Sequence, residues 1–94
     1  MKKIIKVTNK NIQDGEKANP ENCAIAKALK NQFRNKIKGL SVLPSHVAIS
    51  FKNNNEVFAK MPKEGAEFIK RFDAGLPVNR IKLNLNFKKQ YVLV

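Results

Sequence analysis

The chain has 94 residues, 43% of them hydrophobic, and carries nineteen Lys and Arg against seven Asp and Glu, a formal net charge of +12. That length is one domain's worth, without room for two independent cores, and the apolar content with six Phe argues against disorder. No apolar run approaches the roughly 20 residues of a spanning helix, and the apolar part of MKKIIKV is too short for a signal peptide, so the expectation is a soluble cytoplasmic protein with no membrane partner.

Lys outnumbers Arg sixteen to three and Asn occurs twelve times, as an AT-rich coding bias would produce. Such a bias does not account for the scarcity of acids. The basic excess is therefore read as functional, a field that attracts nucleic acid, nucleotides, acidic proteins or anionic lipid. Cys23 is the single cysteine, which excludes an internal disulfide and a zinc cluster. Counting alone leaves a Cys–His hydrolase open, but neither Cys23 nor His46 sits in a nucleophile elbow or a Gly-rich loop. Paired carboxylates at an informative spacing are also missing, so neither catalysis nor a cofactor is expected. Cys23 reads as a small buried hydrophobe and His46 as a residue at a strand boundary.

In chain order, Lys2 to Val7 is short, β-branched and stopped by Thr8-Asn9, a strand. Lys10 to Asp14 fits a single helical turn capped by Thr8 or Asn9 and closed by Gly15, with a plain loop as the alternative. The stretch from Asn19 to Gly39 then carries the clearest helical period. Asn19 can cap, Pro20 suits the first helical position, and Glu21 favours the positive end of the dipole. Ile25, Leu29, Phe33 and Ile37 follow at i, i+4, i+8 and i+12. The helix should stop between Asn35 and Lys38, because Lys36 falls in the apolar arc and Gly39 supplies a closing residue.

Leu40 to Leu43 reads as a short strand or the lead-in to one, halted by Pro44. His46 to Lys52 alternates, Asn53-Asn54-Asn55 is a turn signal, and Glu56 to Lys60 alternates back with Val57 and Ala59 opposed to Phe58, together a β-hairpin. Pro62 opens a second helix with Phe68, Ile69 and Phe72 as its buried stripe and Gly75 as its end. Gly65 inside it costs about 1 kcal/mol relative to Ala. Arg80 to Lys88 is the cleanest strand, with Ile81, Leu83, Leu85 and Phe87 on one side and Arg80, Lys82, Asn84, Asn86 and Lys88 on the other. The apolar tail from Tyr91 to Val94 extends this strand, adds another, or packs on a second copy as a homo-oligomer contact. The order predicts an α+β fold, a mostly antiparallel sheet of about four to five strands packed against two main helices.

Three motifs stand in sequence: V-T-x-x-x-I-x-x-G from Val7 to Gly15, N-C-x-I-A-x-A-L from Asn22 to Leu29, and F-D-x-G-x-P-V from Phe72 to Val78. In order and spacing the chain resembles a widespread group of small bacteriophage and prophage proteins of uncharacterised function. Members often carry Pro directly after the cysteine and again shortly after the P-V pair, where this chain has Ala24 and Arg80. The resemblance implies a phage origin, expression in the host cytoplasm, and action by binding: on a host protein, on nucleic acid, or on a nucleotide signal of host defence. It brings no catalytic residues. The motif positions read structurally, with Asp73 as a turn-fixing acceptor.

Two basic stripes are the candidate site. Lys27, Lys30, Arg34 and Lys38 span about 80° of a helical wheel, and Arg80, Lys82, Asn84, Asn86 and Lys88 share a strand face. Lys neutralises phosphate, Arg grips it with two donors, and Asn amides read base edges. Solvent-facing Lys-rich surfaces are the competing reading for each stripe, and a helix covering the apolar face of the sheet would separate them. Tyr91 is the one obvious exposed aromatic, which favours duplex backbone contact or a compact nucleotide pocket over stacking on a single strand. The expected partner is thus a nucleic acid or nucleotide, the alternative a host protein inhibited by direct contact.

Overall fold

The computed structural model describes residues 1–89, so the expectations for the tail from Tyr91 to Val94 lie outside the described residues. The fold is α+β, with two antiparallel sheets and three helices. Strand β1 (Lys2–Val7) pairs with β5 (Ile81–Asn86) as a two-stranded ribbon. Strands β2 (Ile37–Val42), β3 (His46–Phe51), β4 (Glu56–Lys60) and β6 (Lys88–Lys89) form the second sheet in that order. The long strand expected from Arg80 to Lys88 therefore changes sheets. It bends at Phe87, 2% exposed, whose N–H donates to Met1 O at 2.7 Å while the terminal ammonium donates to Phe87 O at 2.9 Å.

Helix α1 (Asn9–Asp14) starts as a capping box: Thr8 Oγ1 accepts from Asn11 N–H, and Asn11 Oδ1 accepts from Thr8 N–H at 2.9 Å. This settles the short turn as helix, with Thr8 as the cap. Gly15 closes it and lies against the first residue of the next helix. An added Cβ there would stand 2.5 Å from Ala24 N and 2.8 Å from Ala24 Cα.

Helix α2 (Ala24–Phe33) is shorter at both ends than expected. Asn19-Pro20-Glu21-Asn22 forms a separate turn, since Asn19 O accepts from Asn22 and Cys23 N–H and Asn19 Oδ1 accepts from Glu21 N–H. The expected cap thus closes its own turn, an alternative that Asn side chains offer routinely, and Cys23 is the residue preceding the helix. At the other end the backbone turns at Arg34, φ 54° and ψ −128°, into a 3-10 turn (Arg34–Lys36) that leads into β2. Ile37, Lys38 and Gly39 are strand residues, not helical ones. Ile37 faces Phe51 and Gly39 faces Ser50, so Lys38 is the extra residue of a β-bulge and Gly39 ends no helix.

The hairpin of β3 and β4 turns as expected, with Asn54 at φ 70° and Phe51 N–H donating to Asn55 O. Helix α3 (Lys63–Asp73) follows Pro62, which stands just outside it as the cap residue. Gly65 is explained by crowding: a Cβ would meet Met61 Sδ and, at 3.2 Å, Leu83 Cδ2. The helix ends in a Schellman motif, with Gly75 at φ 76°, its N–H on Phe72 O and Leu76 N–H on Arg71 O.

One core joins these parts. Ile25 and Leu29 of α2, Ile5 and Val7 of β1, Leu83 and Leu85 of β5, and Val47 and Ile49 of β3 are each 1% exposed or less. Burying such side chains contributes roughly 1.5–3 kcal/mol each before ordering entropy is counted. Helix α2 packs against both β1 and β2, which commits the inner face of the ribbon to the core and leaves its outer face to solvent.

Candidate nucleotide cleft and basic surfaces

Where α2 gives way to β2, a cleft of about 1360 Å³ opens between the 3-10 turn, the β3–β4 hairpin and the junction of β5 with β6. Its volume exceeds the roughly 300–1,000 Å³ common for small-ligand pockets. The floor is aromatic. Phe33 meets Phe51 edge-on with ring centroids 5.3 Å apart, and meets Phe87 edge-on at 6.0 Å. Phe58 stands at the margin, 39% exposed. Lys3, Arg34, Lys36, Lys88 and Lys89 line the cleft together with amides from Gln32, Asn35, Asn53 and Asn55. Among the described residues that line it, none is acidic and none is His or Cys.

Arg34 holds the least favourable backbone here. Its φ/ψ pair is that of the first central position of a type II′ turn, where Gly is the usual residue. A side chain held there costs about 1–3 kcal/mol, strain of a kind that gathers at ligand sites.

No family model, curated protein or solved structure matches the chain.

Eight of the nine residues expected to bind are divided among three places. Arg34 and Lys88 meet at the cleft. Lys30, Arg34 and Lys38 surround a smaller depression of about 460 Å³ beside Glu21, although Lys30 Nζ already donates to Asn22 Oδ1 at 2.8 Å and so fastens the turn before α2. Lys27 is half-buried and lines neither. Lys82, Asn84 and Asn86 lie exposed on the outer face of the ribbon, with exposed Arg80 just before it. Because α2 covers the inner face, the strand stripe from Arg80 to Asn86 faces away from the helix stripe, and only Arg34 and Lys88 bring the two together. The one ion pair among the described residues, Lys10 Nζ to Asp14 Oδ2 at 3.4 Å, is exposed on α1 and neutralises none of them.

Sequence reasoning missed Lys3, Lys36 and Lys89 at the cleft, and Lys2 and Lys6, which cross-strand pairing places beside Asn86 and Lys82. It also missed the aromatics, naming only Tyr91. The signal for Phe58 was present, since alternation against buried Val57 and Ala59 sends it outward. Phe33 and Phe51 gave no such signal, because half-burial at the cleft depends on where the chain turns at Arg34. Cys23 is buried and free, as expected. Burial pushes its thiol up, backbone N–H groups of Ala26 and Ile25 oppose this in part, and the Asp73 carboxylate adds to the rise. No helix among the described residues is long and apolar enough to cross a membrane.

Proposed function

We propose that this protein binds a nucleotide, free or carried in an unpaired strand, without transforming it. The observation that carries the reading is the cleft's lining: among the described residues, five side-chain cations and no acidic side chain above an aromatic floor. A nucleotide has the matching halves, a flat apolar base with hydrogen-bonding edges and a phosphate. Phe rings offer the base a stacking surface, Asn and Gln amides reach its edges, and Lys and Arg take the phosphate. A charge-free apolar ligand would leave the cations unused, and inorganic phosphate would leave the aromatic floor unused.

The proposal is of binding without catalysis. Among the described lining residues there is no carboxylate, imidazole or thiol, His46 and Cys23 lie elsewhere, and the Lys amines, which could serve as base or nucleophile in other settings, are assigned here to the phosphate. On the resemblance to phage proteins, the nucleotide would be one that a host cell uses as a defence signal. Inhibition of a host protein has no observation to carry it among the described residues.

Calorimetric titration with ATP, a cyclic dinucleotide, adenosine, inorganic phosphate and a short oligo-dT tests the reading. At least one nucleotide or the oligonucleotide should bind, with adenosine and phosphate each at least tenfold weaker. The paired substitution of Lys36 and Lys88 by Gln should reduce that binding at least tenfold while leaving the circular dichroism unchanged. Failure of every phosphate-bearing probe to bind would sink it.

A further inference from the structure

The outer face of the β1–β5 ribbon has no role in the cleft, and its composition is ordered row by row. Cross-strand register places Lys2 opposite Asn86, Ile4 opposite Asn84, and Lys6 opposite Lys82. All six are exposed, Ile4 at 56%. Alternation turns the intervening rows, Lys3 with Leu85, Ile5 with Leu83 and Val7 with Ile81, toward the core side. The result is a free ribbon face with three Lys, two Asn, one central Ile and no acid. Arg80 extends it at the start of β5.

We propose that this face enters the major groove of double-stranded DNA. The fit is first one of dimensions. Two strands about 4.8 Å apart make a ribbon that a groove about 12 Å wide admits, and six residues at about 3.4 Å each run along it for about 20 Å. It is next one of charge. Lys2, Lys6 and Lys82 flank the middle row on both sides and reach outward to the phosphates. It is last one of chemistry. In the middle row Asn84 offers the paired donor and acceptor that match adenine N6 and N7, while Ile4 offers an apolar contact for the thymine methyl group. The inner side of the ribbon is braced by α2 and by buried Ile5 and Leu83, so the face is presented on a rigid support.

The geometry also selects against RNA. The major groove of A-form RNA is deep and too narrow for such a ribbon. Single strands present no groove. This surface and the cleft are separate, and the inference does not depend on the nucleotide reading.

The test is fluorescence anisotropy of the whole protein with labelled 20-base-pair DNA, duplex RNA of the same sequence and single-stranded DNA, each across a salt series. Duplex DNA should bind tightest, with A·T-containing sites preferred. The triple substitution K2Q/K6Q/K82Q should weaken it at least tenfold and lower the salt slope by about 2.7, for three lost phosphate contacts. Asn84→Ala should flatten the preference between A·T and G·C sites while leaving the salt slope in place. A charge-matched control, K52Q/K60Q/K70Q, should lose far less, and K36Q/K88Q in the cleft should leave duplex affinity within about twofold. Equal losses from the ribbon triple and the control, or duplex RNA or single strands binding the K36Q/K88Q protein as tightly as duplex DNA does, would overturn the proposal. Loss of duplex binding from the cleft pair alone would do so too, by assigning the contact to the cleft. Circular dichroism of each variant separates lost contact from lost fold.

Discussion

The Asp73 carboxylate accepts a hydrogen bond from the Ala18 N–H at 2.9 Å, across 55 residues of sequence. Ala18 lies at φ 55°, a left-handed conformation that a residue with a Cβ adopts at a cost. The bond thus ties the end of α3 to the loop before α2 and holds that loop in its turn. Asp73 was expected to fix a turn, and the one it fixes is remote rather than its own. Asp73→Ala should cost about 1 kcal/mol in urea unfolding, a typical hydrogen bond. Asp73→Asn, which keeps an acceptor oxygen, should cost less than half of that. Equal losses would mean that the contact at Ala18 is not what matters.

Gly15 and Gly39 are opposite cases. Gly15 has an ordinary φ of −69°, so its need is space and not conformation. The atoms that a Cβ would strike, Ala24 N and Cα, are backbone and cannot swing aside. Gly15→Ala should destabilise by about 3 kcal/mol, at the upper end of overpacking changes. Around Gly39 nothing lies within 4 Å of the Cβ position, and its φ is not left-handed. Gly39→Ala should stabilise by about 0.5 kcal/mol, through the entropy of the unfolded chain. Chemical denaturation of the two single variants measures both signs.

These contrasts show what local pattern can and cannot carry. The Asn53-Asn54-Asn55 turn, the alternation from Ile81 to Phe87 and the end of α3 at Gly75 were legible because each is decided within a few residues. The far end of α2 was not. Ile37 continues the i+4 stripe of Ile25, Leu29 and Phe33 in phase, yet it belongs to a strand, and no periodicity reports the backbone reversal at Arg34. The ribbon face was half legible. Lys2, Ile4 and Lys6 alternate with Lys3, Ile5 and Val7 in the sequence, but their meeting with Lys82, Asn84 and Asn86 is a pairing across 75 or more residues. The cleft needs three such non-local approaches and left no trace in any one segment beyond the outward Phe58.

The Cys23 thiol gives a pH dependence of definite sign. Burial raises its pKa in the folded chain, whereas the unfolded thiol titrates near about 8.5. The folded state therefore favours the protonated form. The associated stability is complete below the unfolded pKa and is lost as pH rises through the folded one. Unfolding free energy should fall more steeply between about pH 8.5 and higher pH for the natural chain than for Cys23→Ala. A thiol reagent at neutral pH should label Cys23 only as fast as the protein opens. Rapid labelling of the native protein would contradict the burial.

Arg34 gives the sharpest test, because stability and binding should move in opposite directions. Its φ of 54° with ψ −128° suits Gly and strains any side chain. Its side chain is exposed and makes no hydrogen bond or ion pair among the described residues that would offset that strain. Arg34→Gly removes the strain together with the cleft's only guanidinium among the described lining residues. The variant should gain about 1 kcal/mol in urea unfolding, at the lower end of the strain range because Gly also adds entropy to the unfolded chain. It should bind the nucleotide that the natural chain takes at least tenfold more weakly. Arg34→Lys keeps the charge and the strain, so it should gain no stability and lose less binding, by the difference between a two-donor fork and a point charge. A stabilised Arg34→Gly protein with undiminished nucleotide affinity would leave the strain without a purpose at the cleft.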